Sequence, residues 1–230
     1  MARLILFDID GTLVLTGGAG ARAMALACAE VFGVHDGFGS VPMAGRTDAW
    51  IIAQFAQAHG VSCDASIFRR VHDSYIDHLT REVIAPGPRK GILAGVRPLL
   101  DTLASQDTAY VALLTGNFEQ GARIKLQHFG LWDYFRAGAF GDEAHDRNGL
   151  LWTALARVQA AGGPAARPSD VVIVGDTPLD IAVAVAGGAR SIGVATGSYT
   201  ETELRASGAD VVFADLSNLE AVLGALAVMT

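Results

Sequence analysis

Cysteine is nearly absent: Cys28 and Cys63 are the only two in 230 residues, and they form no C-x-x-C pair. That excludes a disulfide framework. A chain this long needs none, because an ordinary core can bury roughly 70–75% of its unfolded surface. Both thiols sit in apolar stretches and read as buried residues of a reducing compartment. Charge is also scarce, at 18% of residues against 51% hydrophobic, with a mean hydropathy of +0.34; a disordered chain shows the reverse balance. Positive charge is the scarcer sign, and the formal net charge of -7 argues against a nucleic-acid partner bound through its backbone. No run approaches the ~18 consecutive apolar residues of a membrane span. Met1 to Phe7 is apolar but stops at Asp8, too short for a secretory signal, and the expected location is the cytoplasm. The six histidines show no metal-ligand spacing; only His145 lies near a motif, and it receives no role. No feature fixes an oligomeric state.

What is present is a series of short apolar runs that end in turn or polar residues. Leu4-Ile5-Leu6-Phe7, Tyr110 to Leu114, Val171 to Val174, Ser191 to Val194 and Asp210 to Phe213 do not alternate apolar with polar. Strands buried on both faces read this way, and such strands belong to parallel sheets. Helical patterns separate them: Gly95 to Leu103, Phe118 to Phe129, Leu150 to Val158, Leu179 to Ala186, Glu201 to Ser207 and Leu216 to Met229. The alternation predicts an α/β fold with a doubly wound, Rossmann-like parallel sheet. One stretch breaks it. From Thr16 to Pro86 the sequence offers helices over Ala21 to Phe32, Asp48 to His59 (with Thr47 as N-cap) and Ser66 to Val83, and no convincing strand. Gly17-Gly18 and Pro86-Gly87-Pro88 read as hinges. The expected organisation is an α/β core of residues 1–15 and 87–230 with a helical insertion over 16–86.

The chemistry gathers at strand ends. Asp8 and Asp10, at i and i+2 on extended chain, point to the same side where the first strand stops. In open α/β sheets ligands bind at those carboxyl ends. Two carboxylates this close repel unless a cation or a shared proton lies between them. Gly175-Asp176-Thr177-Pro178-Leu179-Asp180 ends a second strand, with proline suited to the first turn of a following helix. Four carboxylates at one sheet edge call for a hard divalent cation, and oxygen ligands suit Mg²⁺. Thr115-Gly116-Asn117 ends a third strand and reads either as an anion cradle at a helix N-terminus or as a simple N-cap. A phosphate beside these acids needs a fixed positive charge. Arg147, in Asp146-Arg147-Asn148, is the first candidate. Lys125 is the second, although a surface role is the expectation for it.

These four pieces, in this order, resemble the haloacid dehalogenase-like hydrolase superfamily over essentially the whole chain, closest to its phosphoglycolate phosphatase and β-phosphoglucomutase branches. Asp8-x-Asp10-Gly11-Thr12 matches the first motif, Thr115 the second, and Asp176 with Asp180 the fourth. The third usually carries a lysine, and Arg147 stands there; it keeps the charge but forks onto two oxygens. The resemblance implies that Asp8 is the nucleophile and Asp10 the general acid and base. It implies Mg²⁺ held by the Asp8 side chain, the Asp10 backbone carbonyl and Asp176, with Asp180 supporting the metal or the cation. Thr115, Gly116, Asn117 and Arg147 would bind the phosphoryl group. The 16–86 insertion would be a helical cap, with Arg46 of Gly45-Arg46-Thr47-Asp48 facing substrate; the alternative is a surface arginine beside a helix N-cap. Dehalogenases of this fold lack the second aspartate, and a phosphonatase would need a cap lysine that does not occur before Lys90. The implied activity is a Mg²⁺-dependent phosphatase acting on a small phosphorylated metabolite. A phosphomutase, a receiver-type signalling domain and a non-catalytic binding protein are the alternatives.

Overall fold

The computed structural model describes residues 3–35, 37–39, 41–106, 108–142 and 147–228. His145, Asp146 and Met229 lie outside them. The strands are β1 (Arg3–Phe7), β2 (Val14–Leu15), β3 (Gly91–Ile92), β4 (Ala109–Leu114), β5 (Gly138–Ala139), β6 (Val171–Gly175), β7 (Arg190–Val194) and β8 (Val211–Phe213). The helices are α1 (Ala19–Phe32), α2 (Asp48–Ala58), α3 (Ala65–Glu82), α4 (Val96–Ala104), α5 (Glu119–His128), α6 (Leu150–Ala160), α7 (Pro178–Gly187), α8 (Glu201–Ala206) and α9 (Leu219–Val228).

Six strands form one parallel sheet in the order β5-β4-β1-β6-β7-β8. The chain winds outward from β1 through β4 and β5, then crosses back to β6 on the other side. The winding therefore reverses between β1 and β6, and in open α/β sheets a crevice opens at such a point beyond the carboxyl ends of the strands. Phe7 is in register with Leu113 of β4 and with Val174 of β6. Asp8, Thr115 and Asp176 consequently leave the sheet side by side.

The unbroken apolar character of β1 has a direct cause. Ile5 and Phe7 face a layer that includes Val96, Leu100 and Leu226. Leu4 and Leu6 face another built from Leu150, Ala154 and Val183. With both faces covered, no position of Leu4 to Phe7 is left for a polar residue.

Residues between β2 and β3 contribute α1, α2 and α3, which share an apolar cluster of their own around Met24, Ile52, Phe55, Val71 and Leu79. Thr47 caps α2 by accepting from the Trp50 amide at 3.1 Å. Asp64 caps α3 by accepting from the Ser66 and Ile67 amides, both at 2.9 Å. Antiparallel pairing of β2 with β3 draws the two ends of this segment together. There Gly17 and Gly87 touch so closely that a Cβ on either would overlap the other's backbone.

Three short strands were not expected from the sequence: β2, β3 and β5 have two residues each, too few for a periodicity to announce them. The last helix starts at Leu219 rather than Leu216. Asp215 accepts from the Ser217 amide at 2.8 Å, and Asn218 accepts from the Ala221 amide at 3.2 Å, so a turn precedes the helix. Cys28 is buried, whereas Cys63 is half-buried in the loop before α3. Among the described residues, no helix is long and apolar enough to cross a membrane.

Candidate active site

The carboxyl ends of β1 and β6 carry a cluster of buried acids. Asp8 follows β1, its amide still bonded to the Val174 carbonyl at 3.0 Å. Asp176 follows β6. Asp180 lies in the first turn of α7, where Thr177 is the N-cap and Pro178 opens the helix. Asp8, Asp176 and Asp180 each bring a carboxylate oxygen within 4.8 Å of the others, and all three are buried. Arg147 enters from a 3₁₀ turn over Arg147–Gly149. One of its terminal nitrogens donates to Asp8 at 2.9 Å and also to Asp180, and the other donates to the Gly45 carbonyl at 2.7 Å. Its Nε is buried without a partner among the described residues.

Three acids against one arginine leave excess negative charge in a dry place. Burial pushes the Asp8 carboxyl up to about 7; Arg147 opposes the rise, while Asp180 and Asp10 add to it. A hydrogen bond from the Thr115 hydroxyl to Asp8 pulls the other way. Burial, then Asp180 and Asp8, lift Asp176 well above the usual carboxylate range. Burial opposes the charge on Arg147, but Asp180 and Asp8 outweigh it and hold the guanidinium ionised.

Asp10 faces elsewhere. Its carboxylate is 42% exposed to the cavity and pairs with Lys125 of α5 at 2.6 Å. Asn117 joins the pair: its amide nitrogen donates to Asp10 and to Thr115 Oγ1, both at 2.9 Å, and its amide oxygen accepts from Lys125 at 2.5 Å. The expected surface role for Lys125 is therefore corrected: its side chain is 4% exposed. Gly121, Ala122, Lys125 and Leu126 form the buried face of α5, and that i, i+1, i+4, i+5 pattern was the available signal.

The amides opening α5 are also already used. Phe118 N donates to Asp48 at 2.9 Å and Glu119 N donates to Asp142 at 2.6 Å. Carboxylates thus take the Phe118 and Glu119 amides just beyond Thr115-Gly116-Asn117, and those three residues themselves line the cavity. Asp48 is buried and pushed up to about 6, with burial first and Lys125 and the Phe118 amide opposing. Its own amide donates to the Gly116 carbonyl at 2.8 Å. Neither Asp48 nor Asp142 stood among the sequence candidates. Arg46 stacks on the Trp50 ring at 4.4 Å and borders the same cavity.

A cavity of about 270 Å³ joins these groups, with Asp8, Asp10, Thr115, Lys125, Arg147 and Asp176 on its wall. The residues fit a divalent cation on their own chemistry. Asp8 and Asp176 are hard oxygen donors, buried beside a third carboxylate, and the three acids share a single arginine. Asp180 is less free to ligate, because one oxygen accepts from Thr177 N and Oγ1, at 3.0 and 2.7 Å, and the other from Arg147. Asp176 sits in a glycine cradle: a Cβ at Gly11 or Gly197 would overlap its carboxylate.

An open parallel sheet with converging acids, a buried arginine and a cavity at its switch point has the build of an α/β enzyme. Residues 2–188 match the family model for haloacid dehalogenase-like hydrolases, and the chain belongs to that family. It is 28% identical over 236 residues to a probable phosphatase, IndB, of Dickeya dadantii (strain 3937), across 98% of this chain and 95% of that protein. Among solved structures, CbbY from Rhodobacter sphaeroides in complex with xylulose-(1,5)bisphosphate superposes with a TM-score of 0.76 at 20% identity, covering 95% of this chain and 96% of that one. A predicted phosphoglycolate phosphatase from Haemophilus somnus 129pt gives 0.69 at 18% identity, covering 96% and 98%. At such identities these likenesses speak for the fold.

Proposed function

We propose that this hydrolase is a Mg²⁺-dependent phosphatase that removes the phosphoryl group from a small phosphorylated metabolite by way of Asp8. The observation that carries the reading is the set of three buried acids sharing one arginine at the β1/β6 crevice. Asp8 attacks phosphorus in line, an Asp8–phosphorus bond forms, and the bond to the leaving oxygen breaks. Asp10 gives that oxygen a proton. It then takes a proton from the water that attacks the aspartyl-phosphate, which releases inorganic phosphate and restores Asp8. Thr115 and Arg147 hold the transferring oxygens, and Asp180 keeps Arg147 in place from the far side. The Asp8 side chain, the Asp10 backbone carbonyl and Asp176 would hold Mg²⁺, which would supply the positive charge that lets an anion approach an anion.

The helical segment of residues 16–86 serves in this reading as a cap over the core of 1–15 and 87–230. Its contacts support the role: the Gly45 carbonyl accepts from Arg147, and Asp48 clasps the start of α5. The modest cavity favours a compact substrate of phosphoglycolate size, with Arg46 at the rim. The test is phosphate release from a panel of phosphorylated metabolites, with and without Mg²⁺. Turnover of at least one compact ester, dependent on Mg²⁺ and needing no added bisphosphate, is expected. Product formation only with an activating bisphosphate would make the enzyme a mutase instead, and no turnover of any ester would reject the reading.

A further inference from the structure

The pair formed by Lys125 and Asp10 is unaccounted for by the scheme above. Lys90 and Lys125 are the only lysines in the chain. Lys90 donates to the Val83 and Ala85 carbonyls and so holds the end of α3. Lys125 serves no helix end. It reaches from the buried face of α5 to Asp10 Oδ2 at 2.6 Å and to Asn117 Oδ1 at 2.5 Å. Asn117 Nδ2 closes the ring on the same Asp10 oxygen at 2.9 Å. Both donors therefore fall on Oδ2, and among the described residues no donor is recorded on Oδ1.

We propose that Lys125 is a positioning residue for Asp10: with Asn117 it anchors Oδ2 and leaves Oδ1 as the oxygen that exchanges a proton with the reacting ester. The inference rests on the phosphatase reading and on Asp10 as its acid and base. Fixing one carboxylate oxygen at two points removes the side-chain rotation that would otherwise spread the proton over many directions. When Oδ1 passes its proton to the leaving oxygen, the negative charge left on the carboxylate is met at once by the ammonium on Oδ2. The walls suit a compact ammonium rather than a planar guanidinium. A Cβ at Gly20 of α1 would stand 3.2 Å from Lys125 Nζ, and Tyr75 of α3 closes the same side.

The role separates from a merely structural one through the leaving group. An alkyl phosphate needs its leaving oxygen protonated, whereas dinitrophenyl phosphate expels a stable phenolate that does not. The quantity to measure is kcat/KM, which reports the steps up to phosphoryl transfer to Asp8 and excludes the later attack of water. Lys125→Met is expected to lower kcat/KM for an alkyl phosphate by about 30-fold or more, and for dinitrophenyl phosphate by less than about 3-fold. Any loss of folded enzyme cancels from the ratio of the two. Lys125→Arg, which keeps the charge, recovers part of the ratio. Gly20→Ala, which presses on the ammonium from α1 and leaves Lys125 in place, moves the ratio the same way by a smaller factor. Equal losses on both esters, or an unchanged ratio in all three variants, would overturn the positioning role. If the wild type hydrolyses neither ester, the phosphatase reading falls and this inference with it. If the wild type is active and the ratio stays fixed, only this inference falls.

Discussion

Asp8 and Asp10 are two residues apart in sequence and stand in opposite electrostatic settings. Asp8 looks towards β6, where it meets Asp176, Asp180 and a single arginine, with 7% of its side chain exposed. Asp10 looks towards β4 and α5, where one lysine answers one carboxylate and 42% of the side chain opens on the cavity. The first half of the site gathers three buried acids around one arginine, a donor set that suits a divalent cation. The second half pairs one acid with one lysine, and in the proposed reaction its partly exposed carboxyl is the group that moves protons. On the proposed mechanism, one short turn after β1 thus gives its two acids two tasks by placing them against different neighbours.

The largest expected effect comes from removing the nucleophile. Asp8→Asn should lower Mg²⁺-dependent hydrolysis by more than about 10⁴-fold, while circular dichroism shows the fold retained. Substantial residual turnover would mean that the two aspartates do not divide the work in this way. Next is the cation that the crowded half depends on. Arg147→Met leaves Asp8 and Asp180 facing each other, which should cost about 3–5 kcal/mol of stability and about 10²–10³-fold in kcat. Arg147→Lys should lose less in both, as read by denaturant unfolding and steady-state kinetics.

The crowded acids also predict a pH dependence. The Asp8 carboxyl titrates near 3.8 in an unfolded chain and near 7 in the folded one. Within that window the folded state holds the extra proton, so the stability of metal-free protein should fall as pH rises through it. Thermal melts in a chelator should show Tm dropping towards neutral pH. Added Mg²⁺ should lift Tm more above pH 7 than below it. A Tm that ignores both pH and Mg²⁺ would contradict the contrast between the halves. The smallest effect belongs to Asp48, whose carboxyl is raised to about 6. The same sign applies, so its ionisation weakens the fold as pH rises from 3.8 to about 6. Asp48→Asn keeps an acceptor for the Phe118 amide and should stabilise the protein at neutral pH by ~1 kcal/mol. A loss of stability there would show that the charge, not the hydrogen bond, holds the segment.

The crowded half was the more legible in sequence. Asp8, Thr115 and Asp176 each follow an apolar run that never alternates, and that pattern locates the carboxyl edge of a parallel sheet before any coordinate is known. Pro178 and Asp180 mark the helix start that carries the fourth acid. The half that pairs Asp10 with Lys125 was harder to read. A lysine in a helix is ordinarily a solvated residue, and only the small residues one turn earlier, Gly121 and Ala122, betray that Lys125 faces inward. Asp48 and Asp142 come from distant segments to cap α5, and no local pattern announces a cap supplied from 70 or 23 residues away. Strand β5 has only two residues and is placed by pairing with β4, which sequence periodicity does not register.

The most direct test is to look for the phosphoryl group on Asp8 itself. The wild-type enzyme, mixed with a radiolabelled aryl phosphate and Mg²⁺ and quenched in acid within the first turnover, should carry hydroxylamine-labile label on the peptide containing Asp8. Asp8→Asn should carry none. Release of phosphate with no label on that peptide, or the same label on the Asn variant, would contradict the account.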